Sequence, residues 1–169
     1  ESNITGSTFT IDNGEEQVLY QTDLSGAYQQ NNIQTALAAL MLLQEEFNVN
    51  EHHIQQGLAN VRKNTYFLGR SMMLNEKPLA IADSAHNGAG ITELNKIIAA
   101  TPFNHLHFVY GTVSDKDLTK VIPLLPQNAT YYFCKADIPR GMNAEELAKK
   151  ANDLKLTGTS FSSVKEAYE

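Results

Sequence analysis

The sequence predicts an α/β fold built on a mostly parallel sheet whose first strand is antiparallel. Short apolar runs, each ending in a polar loop, recur at residues 79–82, 106–110, 130–134 and 159–161. Segments with the helical spacing of apolar residues separate these runs, and strand, loop and helix in this order imply parallel strands with right-handed crossovers. Only a short turn at residues 75–78 precedes the run at 79–82, so the strand before it should pair antiparallel.

The first 30 residues are predicted to form a β-hairpin. Phe9 and Ile11 alternate with polar residues, Asn13-Gly14 is a strong turn signal, and residues 18–20 are apolar again. Nothing in the hairpin indicates a chemical role.

Two helices are predicted after the hairpin. The first covers residues 32–47, where Asn32 is in position to cap the N-terminus. The second begins at Glu51, after the capping residue Asn50.

A domain boundary is predicted at residues 62–64, where the composition changes. It divides the chain into residues 1–62 and 63–169. Within the second part, the apolar run at 79–82 is expected to be a buried strand. Further helices are expected to begin close to Ile91, Leu118, Ala144 and Val164.

The overall composition excludes several classes of protein. The 169 residues carry 13 basic and 19 acidic side chains, a net charge of −6, which argues against a nucleic-acid partner because phosphates require a basic face. No apolar run comes near the roughly 20 residues of a membrane-spanning helix, and no signal peptide is visible. The single cysteine, Cys134, lies in an apolar run, so we expect a buried thiol and a reducing, cytoplasmic setting.

Candidate functional residues follow the apolar run at 79–82. Asp83, His86 and Asn87 lie in a polar loop at the carboxyl end of a strand, where α/β proteins bind their ligands. An Asp in this place is also often only the N-cap of the next helix, and spacing alone favours that role.

Two later strands also end in charged loops, at residues 111–117 and 135–141. All these loops are expected along one edge of the sheet, where a polar ligand would bind. The chain contains neither G-x-x-x-x-G-K-[ST] nor G-x-G-x-x-G, so it carries no strong phosphate-binding motif of its own.

Three segments resemble, in the same order, motifs of the folylpolyglutamate synthases, which belong to the Mur ligase superfamily. Residues 32–40, NIQTALAAL, are similar to the family's N-x-x-T-A-L-A-A-L helix; residues 68–70, LGR, are similar to its P-G-R; and residues 83–87, DSAHN, are similar to its D-x-A-H-N signature. Leu68 and Gly88 stand where the family usually has proline.

This resemblance implies an ATP site and a glutamate site. Asn32, Arg70 and Asp83 stand at family positions that contact ATP, and His86 stands near the incoming glutamate, where it would bind a carboxylate or orient the amine. In the implied reaction ATP, with Mg²⁺ bridging its phosphates, phosphorylates a carboxylate of a folate or dihydropteroate substrate. The amine of L-glutamate then attacks the acyl phosphate.

The resemblance also assigns the predicted domains. Residues 1–62 would be the tail of the central ATPase domain, and residues 63–169 the Rossmann-like glutamate-ligase domain of a Mur ligase, cut short at its end. The phosphate loop and most metal ligands of the family would lie upstream of residue 1. We therefore assign no metal ligand here and expect this chain alone to be inactive.

Two alternatives remain open at this point. The chain could belong to another Mur-type amino-acid ligase that acts on a cell-wall precursor. It could also be a non-catalytic α/β binding module, such as a receiver-like domain, in which Asp83 is simply an exposed acid at a strand end. A receiver needs an acidic cluster to hold Mg²⁺, and no carboxylate pair ends an earlier strand here.

Overall fold

The computed structural model describes residues 2–3, 5–12 and 16–169, and within that part of the chain the strands group into three sheets. Two of the sheets are antiparallel and the third is parallel, which confirms the predicted mixed α/β class. The chain forms two compact units, Glu1–Ala85 and His86–Glu169.

The first sheet confirms the predicted hairpin. Strands β1 (Ser2–Asn3), β2 (Gly6–Asp12) and β3 (Gln17–Thr22) are all antiparallel, and Phe9 pairs with Tyr20. The predicted turn at residues 13–14 lies outside the described residues.

Three helices follow, and the first begins earlier than predicted. Helix α1 (Gln29–Phe47) starts three residues before Asn32, because the Gln29 N–H already donates to the Gly26 carbonyl at 3.0 Å and starts the turn. The prediction that Asn32 caps this helix is therefore wrong.

The second helix begins as predicted. Asn50 caps α2 (Glu51–Ala59), and its side-chain oxygen accepts the His53 N–H at 3.0 Å. Helix α3 (Val61–Thr65) has five residues, too few for an apolar period to show in the sequence.

The core of the first unit lies between the hairpin and these helices. Phe9, Ile11, Tyr20 and Ile33 are buried, and four partly buried apolar side chains pack against them. The apolar face predicted for α1 is buried only near its start, since Phe47 at the end of the helix is 64% exposed.

The second sheet is the antiparallel pair β4 (Met72–Glu76) and β5 (Leu79–Ala82), as predicted. Met72 pairs with Ala82 and Glu76 pairs with Leu79, and between these pairs β4 contains one extra residue, Leu74, that forms a bulge. The prediction that β5 is buried is wrong: Leu79 is 39% exposed and the other three residues are half-buried, because the strand has one ladder partner rather than two.

The third sheet is parallel, in the order β6 (His107–Tyr110), β7 (Thr130–Cys134) and β8 (Gly158–Phe161). The accompanying helices are α4 (Gly88–Ala100), α5 (Ala144–Asp153) and α6 (Val164–Tyr168).

The α-helix predicted from Leu118 is replaced by two short 3₁₀ turns, Leu118–Lys120 and Ile122–Leu124. Pro123 explains the difference, since it lacks an N–H and disfavours the α conformation in the residue before it.

Strand β7 is the centre of the core in the second unit. Tyr131, Phe133 and Cys134 are at most 1% exposed, α5 packs on β7 and β8, and Leu147 of α5 is fully buried. The predicted burial of Cys134 is confirmed, and this burial raises the pKa of its thiol. Within the described residues, no helix has both the length and the apolar character needed to cross a membrane.

We predict that Leu147→Ala destabilises the chain by about 2–5 kcal/mol, because it leaves a cavity under β7 and β8. The matched control is Leu42→Ala, also in a helix but 87% exposed, which should change stability by less than about 0.5 kcal/mol. Urea unfolding of the 169-residue chain followed by circular dichroism measures both. Equal effects of the two substitutions would contradict the placement of the core.

Candidate functional site

A left-handed backbone segment leads into β4. Gly69, Arg70 and Ser71 have φ angles of +82°, +57° and +56°, and two of the three are not glycine. Each non-glycine residue in this region costs roughly 1–2 kcal/mol. The segment therefore needs specific contacts to hold it.

Asp83 supplies the contacts on one side. Its Oδ2 accepts the Ser71 N–H at 2.6 Å and the Ser71 hydroxyl at 3.0 Å, and its Oδ1 accepts the Ala85 N–H at 2.7 Å. The ladder register explains the placement: Met72 pairs with Ala82, so the next residues outward, Ser71 and Asp83, face each other. The carboxylate closes the end of the β4–β5 ladder.

Arg62 supplies the contacts on the other side, although no motif in the sequence indicated this role. Its Nη1 donates to the Gly69 carbonyl at 3.0 Å and its Nη2 donates to the Arg70 carbonyl at 2.7 Å. Its Nε donates to the Asp23 carbonyl at 3.0 Å, and its backbone N–H donates to Asp23 Oδ2 at 2.9 Å. No local pattern joins residues 39 positions apart, so only the charge at the predicted boundary could have drawn attention to Arg62.

The Arg70 side chain itself is exposed. Its guanidinium has no hydrogen-bond or ion-pair partner among the residues that the structure describes, so a surface salt bridge is not its role there. An exposed guanidinium on a fixed backbone is suited to binding phosphate or carboxylate oxygens.

Asn32 lies exposed near the start of α1, and its Nδ2 donates to Gln29 Oε1 at 2.8 Å. This contact orients the amide. None of the contacts described for Asn32 joins it to Arg70 or Asp83.

His86 is exposed and is the first residue of the second unit, whereas Asp83 belongs to the first unit. The next residue, Asn87, caps α4, and its Oδ1 accepts the Gly90 N–H at 2.8 Å. The alternative in which Asp83 caps this helix is therefore wrong, since Asp83 binds Ser71 and Ala85 instead.

Two of the charged loops predicted at one edge of the sheet do lie together within the second unit. The Ser114 N–H donates to the Arg140 carbonyl at 2.9 Å, and the Met142 N–H donates to the Thr112 carbonyl at 2.9 Å. The Arg140–Asp115 ion pair at 3.8 Å is about two-thirds exposed on both sides, so it contributes little.

The described residues contain no cluster of three or more His, Cys, Asp or Glu side chains that could hold a metal ion. A magnesium site built from the described residues alone therefore does not fit.

Comparison with known proteins places this chain in context. The family model described as Mur ligase, glutamate ligase domain, matches residues 69–169, more than half of the chain. A probable bifunctional folylpolyglutamate synthase/dihydropteroate synthase of Haloferax volcanii is 30% identical over 139 residues, which cover 82% of this chain and 16% of that protein.

Solved structures of longer proteins are also similar. Escherichia coli FolC in complex with DHPP and ADP is 27% identical with a TM-score of 0.63, covering 97% of this chain and 39% of that one. The bifunctional folylpolyglutamate synthase/dihydrofolate synthase of Yersinia pestis, complexed with AMPPNP and a Mn ion, is 29% identical with a TM-score of 0.64, covering 92% and 35%. The chain thus spans less than two fifths of the length of these relatives.

We predict that Asp83→Ala lowers the stability of the chain by about 1.5–3 kcal/mol, because Ser71 and Ala85 lose a charged acceptor. Asp137→Ala is the control, since that carboxylate is exposed and has no bonded partner among the described residues. Urea unfolding measures both variants. A wild-type midpoint for Asp83→Ala would show that the carboxylate does not hold the ladder end.

Proposed function

Because the chain belongs to the Mur ligase family through its glutamate ligase domain, we propose that it serves in an ATP-dependent ligase that adds L-glutamate to a folate. The observation that carries the proposal is the exposed Arg70 guanidinium, presented on a left-handed turn beside Asp83. This turn lies within the residues that match the family model. The named relatives are folate-handling synthases, which favours a folate over a cell-wall precursor.

The proposed reaction has two steps. A carboxylate oxygen of the folate or dihydropteroate substrate attacks the γ-phosphorus of ATP, and ADP leaves. The neutral amine of glutamate then attacks the acyl carbon, the carbon–oxygen bond to phosphate breaks, and an amide and inorganic phosphate form. Charge develops on the phosphoryl oxygens in the first step, and Arg70 would stabilise it with its planar pair of donors.

The other predicted residues have supporting roles in this proposal. Asp83 has about four acceptor positions, and three protein donors occupy it, so one position is left for a ribose hydroxyl. Asn32 would bind the adenine edge with its amide. His86 would bind a glutamate carboxylate or orient the attacking amine.

We also propose the wider setting of the chain. Residues 1–62 would belong to the ATPase domain and residues 63–169 to the ligase domain. The AMPPNP and Mn ion named for the Yersinia pestis enzyme support a nucleotide and a divalent metal in the reaction. The magnesium ligands would come mainly from outside this chain. We place the enzyme in the cytoplasm, where fractionation of cells that express it should recover its activity.

Growth complementation tests the function itself. The full-length protein should restore growth of a strain that lacks folylpolyglutamate and dihydrofolate synthase, and the purified protein should extend a folate substrate with glutamate only when ATP is present. Rescue of a Mur-ligase defect without rescue of the folate defect would favour the cell-wall alternative.

We predict that Arg70→Ala and His86→Ala affect the kinetics of different substrates, ATP and L-glutamate respectively. In the full-length enzyme Arg70→Ala should lower kcat/KM for ATP by about 10- to 150-fold, because a charged hydrogen bond to phosphate is lost. His86→Ala should raise the KM for L-glutamate and change the KM for ATP by less than about twofold. Lys77→Ala, at an exposed position in the β4–β5 turn, is the control and should match wild type. Wild-type kinetics in both variants would refute these assignments.

A further prediction concerns the isolated 169-residue chain, which should show no ligase activity and bind Mg-ATP only weakly. Backbone N–H groups of a phosphate loop normally hold most of the ATP phosphate charge, and this sequence lacks that motif. Calorimetric titration, with the full-length enzyme as the positive control, measures the affinity. A dissociation constant near or below about 1 μM would show that the nucleotide site is within this chain.

A further inference from the structure

Arg62 directs three of the five N–H groups of its guanidinium to neutral backbone oxygens. Nε, Nη1 and Nη2 each donate to one carbonyl, of Asp23, Gly69 and Arg70 respectively. No ion pair among the described residues includes this guanidinium. A charged group used in this way organises the main chain and does not neutralise a carboxylate.

The peptide unit between Arg70 and Ser71 is fixed at both of its polar atoms. Its carbonyl accepts Arg62 Nη2 at 2.7 Å, and its N–H donates to Asp83 Oδ2 at 2.6 Å. The preceding carbonyl, of Gly69, accepts Arg62 Nη1 at 3.0 Å. The direction of the Arg70 Cα–Cβ bond is thereby set, while the Arg70 side chain stays exposed.

We propose that Arg62 is a positioning residue that holds Arg70 ready for the phosphate of ATP. The proposal rests on the role given to Arg70 under the proposed function. Arg62 touches no reacting atom; it acts by keeping a left-handed segment in place, so that the Arg70 guanidinium is presented from one fixed backbone position. Lysine cannot replace it, because a single ammonium group cannot reach three carbonyls in a planar fork.

A double-mutant cycle in the full-length enzyme tests this. Arg62→Ala and Arg62→Lys should each lower kcat/KM for ATP by about 10- to 100-fold, the range expected when a binding group is misplaced. The double variant Arg62→Ala/Arg70→Ala should be no slower than Arg70→Ala alone, because Arg62 acts through Arg70. Lys63→Ala, an exposed neighbour in α3, should match wild type. Additive losses in the double variant, or wild-type rates in Arg62→Ala, would overturn the proposal.

A second measurement does not depend on activity, so it separates failure of this proposal from failure of the proposed function. In the 169-residue chain, ¹⁵N relaxation should show that Arg62→Ala increases the motion of the Arg70 and Ser71 amides, while the amides of β2 and β3 stay rigid. Lys63→Ala should change neither. If the Arg70 and Ser71 amides keep their wild-type order in Arg62→Ala, Arg62 does not position them, whatever the enzyme does.

Discussion

The structure around the candidate site depends on one backbone constraint, the left-handed turn between α3 and β4. Left to itself this turn would relax, because Arg70 and Ser71 both occupy a region that is unfavourable for residues with a Cβ. Two charged side chains oppose that tendency, and a hydrogen bond to a charged group contributes about 1.5–3 kcal/mol. Each contact is therefore at least as large as the cost of about 1–2 kcal/mol for one left-handed residue, so the contacts from both side chains together can hold the turn.

Much of the fold follows from local sequence signals. Alternation of apolar and polar residues predicted the hairpin, and apolar runs predicted β5 to β8. Asn50 indicated the start of α2. These features depend on residues close together in the chain, where spacing and capping chemistry decide the outcome. The prediction of an α-helix from Leu118 was wrong for an equally local reason, because Pro123 disfavours the α conformation there.

The sequence gives candidate site residues but not the geometry around them. The motifs pointed to Arg70 and Asp83, but no pattern shows that the Asp83 carboxylate binds Ser71 and Ala85. The role of Arg62 could not be predicted from a local pattern either, because tertiary packing sets its partners. A motif residue that holds the backbone in this way cannot be told, from sequence alone, from one that only binds a ligand.

The bulge at Leu74 shifts the pairing of β4 with β5 by one residue. Ser71 and Asp83 lie at the end of the ladder beyond the bulge. If Leu74 were paired and the ladder continued regularly from Glu76 and Leu79, Ser71 would face Ser84, and Asp83 would face Met72. Because neighbouring residues of a strand point to opposite faces, that slip would turn the carboxylate away from the turn it now holds. Leaving Leu74 out of the pairing is therefore what places Ser71 opposite Asp83 and lets the carboxylate reach the left-handed turn.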